Sequence, residues 1–90
     1  MATHAKITHV AIRFQGTVYS LPSPNRHHHV IMEILNRTGV DHIWGEEQGF
    51  LDETGQFLSR RQALVSALFH GQVKNPSQIR AERLFSEDLW

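Results

Sequence analysis

Residues 7–20, ITHVAIRFQGTVYS, decide the fold. Between Val10 and Phe14 apolar residues alternate with polar or small ones, which is the period of a half-buried strand. Gln15 and Gly16 separate this run from a second strand-like run at residues 17–20. Two such runs joined by a short segment containing glycine predict a β-hairpin.

A helix is predicted after this hairpin. The segment PSPN, residues 22–25, interrupts the strand because proline has no amide to donate, and Asn25 is well suited to cap a helix. The helix is expected over residues 26–37. Gly39 follows at the position where a left-handed residue ends many helices.

A second hairpin and helix follow. Residues 48–51 and 56–58 read as two short strands around the turn DETG. Ser59 and Gln62 have the spacing of a capping box, and an apolar stripe formed by Ala63, Leu64, Ala67 and Leu68 follows. We therefore expect residues 1–90 to form one α+β domain, a small antiparallel sheet with two helices packed on one face.

The composition limits the partners. Nine basic and nine acidic residues balance, which disfavours DNA but allows a small anion held by a few arginines. No apolar run approaches the roughly 20 residues that cross a bilayer, and no secretory signal is recognisable, so we expect a soluble intracellular protein. A small chain without cysteine also favours a homo-oligomer, since other supports for small folds are missing.

Three consecutive histidines, residues 27–29, invite a metal site. Consecutive helical residues diverge by about 100°, so they do not share one ion, and we predict no metal. Arg26, His27 and His28 at a helix N-terminus could instead form a phosphate-sized site. A solvated helix start is the alternative.

The sequence carries no recognisable catalytic set. It has no nucleophile elbow, zinc-protease motif, phosphate loop or dinucleotide fingerprint, so we expect no enzyme activity, no catalytic residue and no cofactor.

Four residues of the second hairpin and helix are candidates for ligand contact. Phe50 could stack on a purine if strand alternation turns it outward, but both Phe50 and Phe57 could be core. Gln48 could read a base edge. Arg60 and Arg61 lie where a cation opposes the helix dipole, so either an acid of the preceding turn, Asp52 or Glu53, or a ligand phosphate is expected beside them.

Near the C-terminus Arg80 and Arg83 are further candidates, although surface salt bridges would also explain them. The final segment LFSEDLW, residues 84–90, is too apolar for a frayed end. We expect it to dock on the domain or on a neighbouring subunit.

Three segments carry a resemblance to a known family: AIRFQGTVYSLPSPNRHH at residues 11–28, GEEQGFLDETGQFLSRRQAL at residues 45–64, and the closing LFSEDLW. The chain resembles the phage-encoded Thoeris anti-defence sponges, which sequester cyclic ADP-ribose signals. Some members are hexamers that also hold cyclic oligonucleotides.

The resemblance implies a function without catalysis. A homo-oligomer, either a dimer or a trimer of dimers, would bind a nucleotide-derived signal between subunits. Its pocket would draw on the residues Arg26, His28, Gln48, Phe50 and Arg60, with Arg80 or Arg83. Two alternatives remain: a small protein-interaction module that covers a host protein through its apolar tail, and a small hydrolase or metal-dependent enzyme.

Overall fold

A computed structural model describes residues 5–40, 43, 46–79 and 83–90. Within them lie a four-stranded antiparallel sheet and two helices, which confirms the predicted α+β class. The strands run in the order β2-β1-β3-β4. Their bounds are β1 Ile7–Phe14, β2 Thr17–Pro22, β3 Glu47–Asp52 and β4 Phe57–Ser59; the helices are α1 His27–Thr38 and α2 Arg60–Phe69.

The first hairpin forms as predicted. Gln15 and Gly16 have φ angles of 51° and 80°, and positive φ at both central residues is the geometry that matches the strand twist of a two-residue hairpin. Strand β2 continues to Pro22, beyond the predicted end at residue 20, where Pro22 faces His9. Proline is tolerated there because β2 is an edge strand.

One face of the sheet is buried under both helices. The strand residues Val10, Ile12 and Phe14 are at most 2% exposed. With them pack Phe50 and Leu58 from the sheet, Val30 and Ile34 from α1, and Ala63, Leu64 and Ala67 from α2.

The buried stripe of α2 differs at one position from the prediction. Leu68 is 46% exposed, and Ser66 is buried instead. The buried arc of the helix runs from Ser66 round to Leu64, and Leu68 lies about 40° beyond Leu64. The small polar Ser66 therefore lies at the edge of the buried face, while the apolar Leu68 faces solvent.

The capping of the helices also differs in part. The α2 capping box is confirmed: the Gln62 amide donates to Ser59 Oγ (3.2 Å), and the Ser59 amide donates to Gln62 Oε1 (3.0 Å). At α1 the N-cap residue is Arg26 rather than Asn25, and its amide donates to His29 Nδ1. The Asn25 side chain instead donates to the Pro22 carbonyl, because the turn before the helix places that oxygen within 2.8 Å.

The C-terminal segment docks on the domain, the first of the two outcomes expected for it. Leu84 and Leu89 are buried. The Leu84 amide donates to the Arg60 carbonyl (3.2 Å), and the Trp90 indole N–H donates to the Asn25 carbonyl (2.8 Å). The segment therefore ties the start of α2 to the start of α1.

In the described residues, neither helix combines the length and apolar character that crossing a bilayer requires.

The second face of the sheet depends on a close approach at Gly49. A Cβ there would clash with the Leu58 carbonyl oxygen and would lie 2.7 Å from the Phe57 ring. Arg13 lies over that ring, with its guanidinium carbon 4.5 Å from the centroid.

We predict that Gly49→Ala destabilises the domain by about 1–3 kcal/mol, the cost typical of overpacking. Urea unfolding followed by circular dichroism measures this. Val18→Ala, at a position 41% exposed on the same sheet, should change the free energy of unfolding by only about 0.5 kcal/mol or less. Equal effects of the two substitutions would contradict the packing of Phe57 on Gly49.

Candidate functional site

The candidate site is a cleft between the start of β3 and the start of α2, which we call the guanidinium cleft. Its volume is about 460 Å³, within the usual size of small-molecule sites. It is open to solvent on one side. Its lining consists of Glu46, Glu47, Gln48, Ser59, Arg60, Arg61 and Arg83.

Arg60 is the central side chain of this cleft. Its guanidinium lies over the Phe85 ring, 4.6 Å from the centroid, and its Nη2 donates to Gln48 Oε1 at 2.5 Å. Its Nε is buried and has no hydrogen-bond partner among the described residues. Arg60 thus holds a fixed orientation and retains one unused donor.

The charges around Arg60 act in both directions. Burial lowers the pKa of Arg60, and the positive charge of Arg83 lowers it further. The carboxylates of Glu87 and Glu46 act in the opposite sense. Since the pKa of an arginine starts far above neutrality, Arg60 remains charged and the cleft holds a partly desolvated cation.

The acids of the preceding turn do not neutralise Arg60. Asp52 Oδ1 accepts hydrogen bonds from Thr54 and Gln56, while Glu53 accepts one from the Lys6 amide. Burial raises the pKa of Asp52, but its hydrogen bonds outweigh this and the pKa is lowered. No ion pair of Arg60 within 4 Å is found in the described part of the chain. The sequence analysis expected either a turn acid or a ligand phosphate beside Arg60. The turn acids Asp52 and Glu53 are hydrogen-bonded elsewhere.

The start of α1 lies next to the same cluster through the C-terminal segment. Arg26 Nη1 is 3.9 Å from a carboxylate oxygen of Glu87 and 3.5 Å from Ser86 Oγ. His27 lies close enough to Arg60 and Glu87 to feel both charges. Glu87 therefore links Arg26 with the cluster around Arg60.

The three histidines point to different surroundings, as their helical spacing predicts. His27 is buried, with Nε2 2.8 Å from the Gly49 carbonyl oxygen and its ring edge-on to Phe50. His28 is exposed and lies beside the ring of His29, which caps Arg26. The predicted ligand contact of His28 has no support from cleft geometry.

Phe50 corrects the sequence interpretation. Its ring is 0% exposed and belongs to the core, so it has no surface on which a base could stack. Strand alternation turns Phe50 toward the helices, and the partner ring Phe57 is half-buried on the opposite face.

Of the seven predicted contact residues, Gln48, Arg60 and Arg83 lie together in the guanidinium cleft. Arg26 approaches the same cluster only through Glu87. Arg80 lies outside the described residues.

Two side chains near Arg60 were not predicted from the sequence, the aromatic Phe85 and the acidic Glu87. Phe85 lies beneath Arg60, and it lines a second cleft of about 560 Å³ with Gln78, Glu87 and Asp88. The signal available was the apolar C-terminal segment, whose docking site could not be located without the fold.

The fold and this cleft define a small α+β domain with a cluster of arginines at a helix start. A model of the phage T4 y16D protein family matches residues 6–90. The chain belongs to this phage protein family. No curated protein matches the chain, and no solved structure does.

We predict that Phe50→Ala lowers the free energy of unfolding by about 3–5 kcal/mol, because it empties part of the core. Chemical denaturation measures the loss. The matched substitution Phe69→Ala removes a ring that is 68% exposed and should cost far less. A Phe50→Ala protein as stable as the Phe69→Ala protein would contradict the core assignment.

We also predict a stability decrease in mild acid that depends on His27. Burial lowers the pKa of His27 below its ordinary value of about 6.5, so protons bind more readily to the unfolded chain. The stabilisation is complete above pH 6.5 and is lost as the pH falls through the lowered folded value. Urea midpoints at a series of pH values should show a smaller acid loss in His27→Gln, while His28→Gln, at an exposed position, should behave as wild type.

Proposed function

We propose that this protein binds and sequesters a cyclic ADP-ribose-type immune signal in the bacterial cytosol without cleaving it. The proposal extends to cyclic oligonucleotide signals. The observation that carries it is Arg60: a partly buried cation without an ion pair among the described residues, in a cleft of ligand size beside Arg83 and Gln48. The resemblance of the sequence to anti-defence sponges supplies the ligand class.

The chemistry of the guanidinium cleft suits a phosphorylated ligand. Charge-assisted hydrogen bonds from arginine to phosphate are short and roughly twice as strong as neutral ones. The start of α2 adds the positive end of the helix dipole, and its first turn contains no acidic residue. A phosphate in the cleft would pair with the guanidinium charge of Arg60, for which the described residues supply no ion pair.

Because Phe50 is buried in the core, we propose that Phe85 is the aromatic residue that contacts the base. The Phe85 ring is half-buried, contacts Arg60 on one side and lines the second cleft. A nucleotide lying across Arg60 would place phosphate in the guanidinium cleft and base beside Phe85. There Gln78 and Asp88 offer hydrogen-bonding groups for a base edge.

Tight sequestration also requires enclosure. A nanomolar dissociation constant corresponds to about −12 kcal/mol, which a drug-sized ligand reaches only when most of its surface is buried. The guanidinium cleft of one chain is open. We therefore include in the proposal that a homo-oligomer, a dimer or a trimer of dimers, completes the site.

A protein-interaction module is the second candidate, and one observation favours it. The predicted tail surface is used within the domain, but Val65, Leu68 and Phe69 form an exposed apolar patch on α2. Such patches mark interaction sites on many proteins. A host protein could bind this patch instead of a nucleotide binding the cleft.

The test is depletion of signal followed by its recovery. The protein is mixed with cyclic ADP-ribose isomers, free signal is measured by chromatography and mass spectrometry, and the protein is then denatured by heat. Sequestration predicts loss of free signal and full recovery of intact signal after heating. Signal destroyed before heating indicates a hydrolase; no depletion of any isomer overturns the proposal.

Arg60→Ala should weaken binding by about ten- to a hundredfold, the effect of losing a hydrogen bond to a charged group. Lys74→Ala removes one exposed positive charge outside the cleft and should bind as wild type. Circular dichroism establishes that both variants fold. Equal binding by Arg60→Ala and wild type would place the ligand elsewhere.

A further inference from the structure

The outer edge of β2 is the feature that the proposed ligand site does not use. Among the described residues, β2 is the last strand of the sheet and pairs only with β1. Its residues TVYSLP include no charged side chain. Proteins usually protect such an edge with lysine, a bulge or an interior proline, and here the sole proline stands at the end of the strand.

The register shows which backbone groups face outward. Hydrogen-bonded and non-hydrogen-bonded pairs alternate along an antiparallel ladder. The two-residue turn makes Phe14–Thr17 a hydrogen-bonded pair, so Tyr19 and Leu21 also face β1, whereas Val18 and Ser20 point their amides and carbonyls away from it.

Two contacts support this assignment. Pro22 is one of the residues whose backbone groups point away from β1, so its missing amide costs no hydrogen bond to β1. Ser23 is one of those that face β1, and its amide donates to the Thr8 carbonyl at 3.1 Å. The outward carbonyl of Pro22 is already used by Asn25. In the described part of the chain, the outward groups left on β2 are thus those of Val18 and Ser20.

We propose that two copies of this chain pair through β2, antiparallel about a two-fold axis at Tyr19, to form one continuous eight-stranded sheet. With Val18 opposite Ser20 of the second copy, each such pair exchanges two backbone hydrogen bonds. The symmetric pairing makes four bonds and uses every outward amide on the strand. Because the two-fold axis relates the copies, each strand donates two of these backbone hydrogen bonds and accepts the other two.

The flanking groove fits a second copy of the same chain. A cleft of about 220 Å³ runs between β2 and α1, lined by the β2 residues Thr17 to Leu21 and by Glu33 and Arg37. Glu33 and Arg37 form an ion pair of 2.6 Å, so the groove carries one charge of each sign. Two copies related by the axis therefore bring no excess of like charge together. Tyr19 and Leu21, both half-buried on the helix side, supply the apolar contact.

This inference rests on the oligomer within the proposed function and is independent of its ligand. It deepens that part by naming the surface through which the copies associate.

The test substitutes the outward amide. Val18→Pro removes one outward donor and leaves the β1 ladder intact, because the Val18 amide does not face β1. Val18→Thr keeps the donor and the β-branched shape. Sedimentation equilibrium should show the mass of Val18→Pro falling by half or more relative to wild type, with Val18→Thr unchanged. Circular dichroism and amide exchange at Tyr19 establish that the Val18→Pro hairpin is folded.

A third variant addresses the competing surface. Val65→Lys places a charge in the α2 apolar patch and should leave the mass unchanged. A monomeric wild-type protein, or a Val18→Pro protein of wild-type mass, overturns the edge pairing. A mass that falls in Val65→Lys but not in Val18→Pro assigns the interface to α2 instead. Depletion of cyclic ADP-ribose isomers by these same variants is scored separately, so failure of the interface and failure of the ligand proposal are distinguished.

Discussion

Burial of one sheet face beneath two helices is the constraint on which the rest of this structure depends. Strand alternation sends Val10 and Phe50 to that face, and both are completely buried. Gln48 lies two residues before Phe50 and therefore points to the same face, but at the margin that the helices leave uncovered. The side-chain amide oxygen of Gln48 can therefore accept a hydrogen bond from Arg60 at the start of α2. The position of the candidate site is therefore a consequence of where the core ends.

Local signals predicted most of the secondary structure, because each had a short-range cause. The hairpin depends on two residues with positive φ, and the start of α2 on the reciprocal bonds between Ser59 and Gln62. The site was predicted less completely. Whether Phe50 faces in or out depends on which face the helices cover, and a three-residue strand such as β4 leaves the alternation ambiguous. The pairing of Arg60 with Phe85 spans 25 positions of sequence and has no local signal at all.

The guanidinium cleft carries charges of both signs, with more arginines than acids. The acids nearest to the start of α2 in sequence are held by turn hydrogen bonds or by the Lys6 amide, so the acids that line the cleft are Glu46 and Glu47. Glu87, brought back by the C-terminal segment, lies 3.9 Å from Arg26 with 70% of its side chain exposed. Exposed ion pairs of that kind contribute little to stability. Glu87 therefore reduces the positive charge around Arg60 and Arg26 without neutralising it.

Arg60 breaks two local rules at once, and neither departure stabilises the folded chain. A cation at a helix N-terminus opposes the helix dipole, and a buried donor without a partner costs about 1–3 kcal/mol. An acidic residue at this position would favour the helix, and an apolar one would pack on Phe85 without leaving a donor unpaired. Departures of this kind are expected where a residue serves function rather than stability. An anion bound from outside the chain would offset the first departure, because it would pair with the guanidinium and lie at the positive end of the helix. Under the proposed function, binding would offset part of this cost, and the offset would add to the affinity for the ligand.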